Sequence, residues 1–127
     1  MKILIIEPSE VSRIVIEDQL MKLGVKSSDI HLCVDGKRAI EYVREEGVDI
    51  LFTTLNLPGL DGVDFVDLIL REQPDLVSRL FILSSSDKEV FDDVKEVGAK
   101  RFIRKPVNEQ YFQHFVAPEI ERMMAEI

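Results

Sequence analysis

Short apolar runs alternating with longer amphipathic stretches narrow what this chain can become more than any other feature. The runs at 3–6, 30–34, 49–54, 80–83 and 102–103 are too short for helices and mostly apolar, as strands buried on both faces of a sheet are. Between them the spacing changes to that of helices. Residues 10–23 set Val15, Ile16, Leu20 and Leu23 on one face, with Gly24 just past the end. Asp35-Gly36 opens a second helix that turns Ala39, Ile40, Tyr42 and Val43 inward and stops at Gly47. A third, over 62–72, buries Phe65, Val66, Ile69 and Leu70 and ends before Pro74. Ser86-Asp87 caps a fourth, from 88 to 97, whose stripe is Val90, Phe91, Val94 and Val97. Asn108 caps the last, about 108–126, with Phe112, Phe115 and Val116 on its apolar side. Five strands alternating with five helices fold as α/β, a parallel sheet covered by helices on both faces.

With 127 residues and no linker, repeat or low-complexity segment, the chain reads as one domain over 1–127. A chain of this size buries roughly two-thirds of its unfolded surface. At 46% apolar and 31% charged residues it has material for both a core and a soluble exterior. No apolar run approaches the roughly 20 residues of a membrane span, and Ile3–Ile6 is too short for a signal peptide. A net charge of −8 without a basic stripe argues against nucleic acid and against anionic membranes. The lone Cys33 fits a reducing cytoplasm and a buried strand position.

Pro118 is the one residue at odds with its element, because mid-helix it removes a hydrogen bond and clashes with the preceding turn. The last helix therefore kinks there, or stops and restarts with Pro118 in its first turn. Beyond it Val116, Ile120, Met123 and Ile127 keep helical spacing. That stripe either packs on the domain or forms an arm that buries itself in a homodimer or a partner. On the first helix Val11, Ile14 and Met21 lie off the inward stripe, as scattered surface residues or as a docking patch.

Ligands of open α/β sheets collect beyond the carboxyl ends of the strands, and Thr54 stands at such an end, before the turn residues Pro58, Gly59, Asp61 and Gly62. Ile3-Leu4-Ile5-Ile6-Glu7-Pro8-Ser9, Thr54-Leu55-Asn56-Leu57-Pro58-Gly59-Leu60-Asp61-Gly62, Leu83-Ser84-Ser85 and Lys105-Pro106 occur in one order and spacing. With Asp35-Gly36, Ala39 and Gly98-Ala99 they give the whole chain a close resemblance to a response-regulator receiver domain. The resemblance implies a flavodoxin-like (CheY-like) doubly wound sheet of five parallel strands in the order 2-1-3-4-5.

It also implies a site. A receiver takes a phosphoryl group on an aspartate where this chain has Thr54. Two acids hold magnesium where it has Glu7 and Pro8, together with a backbone carbonyl, here that of Asn56. A Ser/Thr and a Lys contact the phosphoryl oxygens, here Ser84 and Lys105, and a strand-5 aromatic changes rotamer, here Phe102. Lys105-Pro106 is a candidate for the cis bond the family commonly uses there.

Two of the three acidic positions are thus lost. Magnesium gives up its waters reluctantly and relies on carboxylates. Thr54 offers a neutral hydroxyl that needs a base before it can attack phosphorus. The expectation is a pseudo-receiver with a degenerate pocket of Glu7, Pro8, Thr54, Asn56, Ser84 and Lys105, with no cofactor, no catalysis and magnesium binding weak or absent. It would be a stand-alone module of two-component or phosphorelay signalling, acting by phosphorylation-independent contact with a kinase, phosphotransfer or output protein. The contact would use the face of helix 4, strand 5 and helix 5, with Phe102, Pro106, Val90 and Val94 on it, or helix 1.

Lys105 is expected to make a residual ion pair with Glu7, worth little if exposed. The alternatives are an anion or ligand site at Lys105, Ser84 and Thr54, modification of Thr53 or Thr54, or a receiver expressed apart from its output domain. A flavodoxin-like cofactor carrier is disfavoured, since Glu7-Pro8-Ser9-Glu10 places two negative charges and a missing N–H where a phosphate would sit. His31 and His114 lack metal-ligand spacing, and Lys100-Arg101 with Arg104-Lys105 reads as a solvated edge that could meet an acidic partner.

Overall fold

The computed structural model describes residues 1–85 and 88–127, and the side chains of all of these except 88–91. Its strands are β1 (Ile3–Ile6), β2 (Ile30–Cys33), β3 (Ile50–Thr54), β4 (Leu80–Ser84) and β5 (Phe102–Arg104). All neighbours are parallel, in the order β2-β1-β3-β4-β5. The helices are α1 (Glu10–Lys22), α2 (Gly36–Glu46), α3 (Gly62–Glu72), α4 (Lys88–Glu96), α5 (Glu109–Tyr111) and α6 (Ala117–Glu126), with single 3₁₀ turns at Ser27–Asp29 and Pro74–Ser78.

The period of two along each strand builds two separate cores. Ile3 and Ile5 of β1 point to one face, where they meet Ile16 and Leu20 of α1, Phe112, and Ile120 and Met123 of α6. Leu4 and Ile6 point to the other, against Ala39 and Val43 of α2, Phe65 and Ile69 of α3, and Val94 of α4. Every residue of β1, β3 and β4 is buried, which is why these runs show no polar alternation. At the edge, β2 leaves Leu32 41% exposed, and Val34 just beyond it 46%. Cys33 is buried, and that burial, reinforced by Asp35, pushes its thiol pKa above the ordinary value. Its reaction with a soluble disulfide reagent at pH 8 is expected to be roughly a hundredfold or more slower in the native protein than in denaturant; equal rates would contradict the buried placement.

Side-chain caps start the helices where the sequence places them. Ser9 Oγ accepts from the Ser12 N–H, Asp35 from Arg38, Asp61 from Val63 and Asp64, and Asn108 from Tyr111. The Ser86-Asp87 cap and the inward placement of Val90 and Phe91 lie outside the described residues. Gly47 closes α2 at φ 76°, a conformation open to glycine. Gly62 is required for a different reason: a Cβ there would lie 2.2 Å from the Leu55 carbonyl oxygen, so the start of α3 packs directly on the backbone that follows β3.

The last helix departs from the expected single run. Residues Phe112–Val116 form a π turn between α5 and α6, and Pro118 falls in the first turn of α6. Pro118 lacks an N–H and its ring crowds the carbonyl four residues back, so the wider turn ahead of it removes the conflict. A wider turn also advances less per residue. Phe112 and Val116 stay inside, but Phe115, expected on the apolar side, is 58% exposed. Ile120 and Met123 are buried in the core, so the stripe that could have served a dimer arm is used within the domain.

On α1, Ile16 and Leu20 are buried, Val15 and Leu23 half-buried, and Val11, Ile14 and Met21 exposed. Gln19 joins the inward face, where its side-chain oxygen accepts from Gln113 Nε2 at 2.6 Å. Lys22 ties the same helix to α5 through Glu109 at 2.5 Å. That hydrogen bond, with a further one from Gln19, holds the Glu109 carboxyl below its ordinary pKa.

Candidate functional site

Because all five strands run parallel, their carboxyl ends share one edge, and four of them bring the site residues together there. Glu7 directly follows β1, and its N–H continues the ladder to the Cys33 carbonyl at 3.1 Å. Thr54 ends β3 and Ser84 ends β4. Lys105 directly follows β5, and its N–H reaches the Ser84 carbonyl at 2.9 Å. The ladder thus places Lys105 over the ends of its neighbours.

The side chains then close the pocket on themselves. Lys105 Nζ lies 2.5 Å from Glu7 Oε1 and donates to Thr54 Oγ1 at 3.2 Å. Thr54 Oγ1 also accepts from the Asn56 N–H at 3.4 Å, and Thr53 Oγ1 donates to the Thr54 carbonyl at 2.9 Å. Glu7, Thr53, Thr54 and Ser84 are all buried. The expected Lys105–Glu7 ion pair forms, and it is buried, so the low worth of an exposed pair does not apply to it. The Glu7 side chain is 1% exposed and that of Lys105 19%, and breaking such a pair leaves a buried charge uncompensated. Glu7 Oε2 is buried with no hydrogen-bond partner among the described residues, so Lys105 alone answers this carboxylate.

The other expected site residues are spread more widely. Pro8 and Asn56 are exposed beside the pocket, Phe102 is half-buried on β5 with Lys95 Nζ 5.6 Å from its ring centre, and the Lys105–Pro106 bond is cis with Pro106 exposed. Val94, expected on the output face, is fully buried beneath α4, as its place on the inward stripe of that helix requires. The side chain of Val90 lies outside the described residues. Sequence reasoning missed Arg13. Its guanidinium reaches back to the carbonyls of Glu7 at 2.7 Å and Pro8 at 3.0 Å, fixing the loop after β1 with a cation, and no periodicity signals such a contact.

A family model described as the response regulator receiver domain matches residues 3–117. The chain belongs to that family. A probable chemotaxis protein CheY of Rhizobium etli is 26% identical to this receiver over 107 residues, 83% of this chain and 81% of that one. A cyclic di-GMP phosphodiesterase of Thermotoga maritima is 30% identical over 85% of this chain, and a protein-glutamate methylesterase/protein-glutamine glutaminase of Archaeoglobus fulgidus 27% over 96%. This receiver spans about a third of the length of those two relatives, 28% and 34%. Among solved structures, the chemotaxis response regulator CheY4 of Vibrio cholerae superposes with a TM-score of 0.77 at 22% identity, covering 96% of this chain and 97% of that one. The receiver domain of a Pseudomonas aeruginosa sensor histidine kinase, solved with magnesium in its active-site cleft, gives 0.75 at 24%, covering 94% and 97%.

The donor set of this receiver does not fit the magnesium site that the family implies. It offers one side-chain carboxylate already paired with Lys105, a proline and a neutral hydroxyl. Among the described residues no cluster of three or more His, Cys, Asp or Glu could hold a metal. No helix among them is long and apolar enough to cross a membrane.

Proposed function

We propose that this receiver is a pseudo-receiver: a module of two-component or phosphorelay signalling that works by binding another signalling protein, without aspartyl phosphorylation as its switch. The observation that carries the reading is the Lys105–Glu7–Thr54 cluster. The cation that would meet a phosphoryl group is held by the protein's own carboxylate, and the residue at the acceptor position is a buried hydroxyl with no basic group free to activate it. An incoming anion would face Glu7 at the same point, which disfavours an anion site. Thr53 and Thr54 are 0% and 3% exposed, which disfavours their modification in this conformation. The reading assigns the domain no catalysis and gives its contact surface to α4, β5 and α5, with the exposed patch of α1 as second choice.

Incubating the purified protein with acetyl phosphate and magnesium tests this. Intact-mass measurement is expected to find no phosphorylated species, while binding to its partner proceeds with neither metal nor phosphate. Uptake of a hydroxylamine-sensitive phosphoryl group would end the proposal.

A further inference from the structure

A groove of about 790 Å³ opens between the connection that follows β5 and the outer side of α5. Arg104, Pro106, Asn108, Tyr111, His114 and Phe115 shape it. Among the described residues no Asp or Glu lines it, in a chain with 24 acidic residues against 16 Lys and Arg. Its floor is aromatic: the Tyr111 and Phe115 rings lie 4.9 Å apart, and the His114 ring stands edge-on to Phe115 at 4.6 Å. Tyr111 is 41% and Phe115 58% exposed, and it is the π turn that turns Phe115 outward. A smaller groove of about 260 Å³ shares Tyr111 and Phe115 and adds Lys100 and Arg101. Its one acid, Glu119, is already matched to Arg101 at 2.6 Å. Among the described residues, Lys100 and Arg104 make no ion pair.

An exposed pair of aromatic rings with unmatched cations on both sides, on a chain otherwise strongly anionic, is complementary to a chain segment of opposite character. We propose that this ridge seats an acidic segment of a partner protein, with one aromatic or aliphatic side chain anchored on Tyr111 and Phe115 and carboxylates on Arg104 and Lys100. The inference rests on the reading that the α4, β5 and α5 face meets the partner, and adds the chemistry of what binds there. A second copy of the chain fits less well: a two-fold contact buries the same patch on both copies, so cations Arg104 and Lys100 of each would be brought together with no acid in the larger groove to offset them among the described residues.

The test pans a random 12-residue phage-displayed peptide library against the whole protein. Enriched peptides are then synthesised, titrated by fluorescence anisotropy and mapped by amide chemical shifts. Enriched peptides are expected to be net acidic with at least one large apolar residue, and to shift residues 104–115. Phe115→Ala and Arg104→Glu are each expected to weaken binding about tenfold or more, with unchanged circular dichroism and melting, whereas Val34→Ala, exposed at the opposite edge of the sheet, leaves it intact. Failure to enrich, neutral or basic peptides, shifts elsewhere, or self-association abolished by Phe115→Ala would overturn the inference. The acetyl phosphate experiment is independent of this one. Phosphate uptake with peptide binding intact would sink only the pseudo-receiver reading, and no uptake with no peptide would sink only the ridge.

Discussion

Lys105→Met is expected to lower unfolding free energy by about 3 kcal/mol at pH 7, the low end of the cost of leaving a buried charge without its partner. The low end applies because the Lys105 side chain is one-fifth exposed while that of Glu7 is sealed at 1%. For a domain of this size the melting temperature would fall by roughly 10 °C. Replacing both partners, Glu7→Leu with Lys105→Met, is expected to recover most of the loss, since an apolar pair of similar volume removes the desolvation cost along with the attraction. Denaturant unfolding of the two single variants and the double variant at pH 7 measures this. Additive single effects would show that the pair is not the buried unit described here.

The same pair sets the charge balance of the pocket. Here one cation meets one anion, and Lys105 gives a second hydrogen bond to Thr54. Arg13 holds the backbone carbonyls of Glu7 and Pro8 from the α1 side. The charges of Glu7 and Lys105 thus balance within the pocket.

Much of this was legible in the chain. Buried parallel strands must read as continuous apolar runs, so Ile3–Ile6, Ile50–Thr54 and Leu80–Ser84 announced themselves, and the parallel order fits the receiver resemblance. What could not be read depended on distant parts meeting. The Lys105–Glu7 pair was legible through the receiver resemblance, but its burial was not, because that depends on Lys105, 98 residues later, folding over Glu7. Gln19 carried a signal, since it falls between Ile16 and Leu20 on the inward face, but its partner Gln113 lies 94 residues away. Phe115 was misplaced because a constant helical period was carried through Phe112–Val116, where Pro118 imposes a π turn. Val94 was set on an output surface although its own spacing put it in the core.

If the proposed lack of magnesium binding comes from the missing carboxylates, restoring them should bring a metal in. The double variant Pro8→Asp with Thr54→Asp adds two carboxylates beside Glu7, against which Lys105 supplies one positive charge. Without metal, the surplus negative charge is expected to make the variant less stable than the wild type, since like charges packed together disfavour the compact state. Magnesium then binds the folded form and not the unfolded one. At a hundredfold excess over its Kd it contributes about 2.7 kcal/mol, or roughly 10 °C in melting temperature for a domain of this size. The wild type is expected to shift by less than about 1 °C under the same conditions, because a ligand without affinity for the folded state stabilises nothing. Melting curves with and without magnesium chloride, using sodium chloride at matched ionic strength as the control, separate the two. A wild type that gains as much as the variant would mean that Glu7 and backbone carbonyls suffice for the ion, and the argument from the donor set would fall.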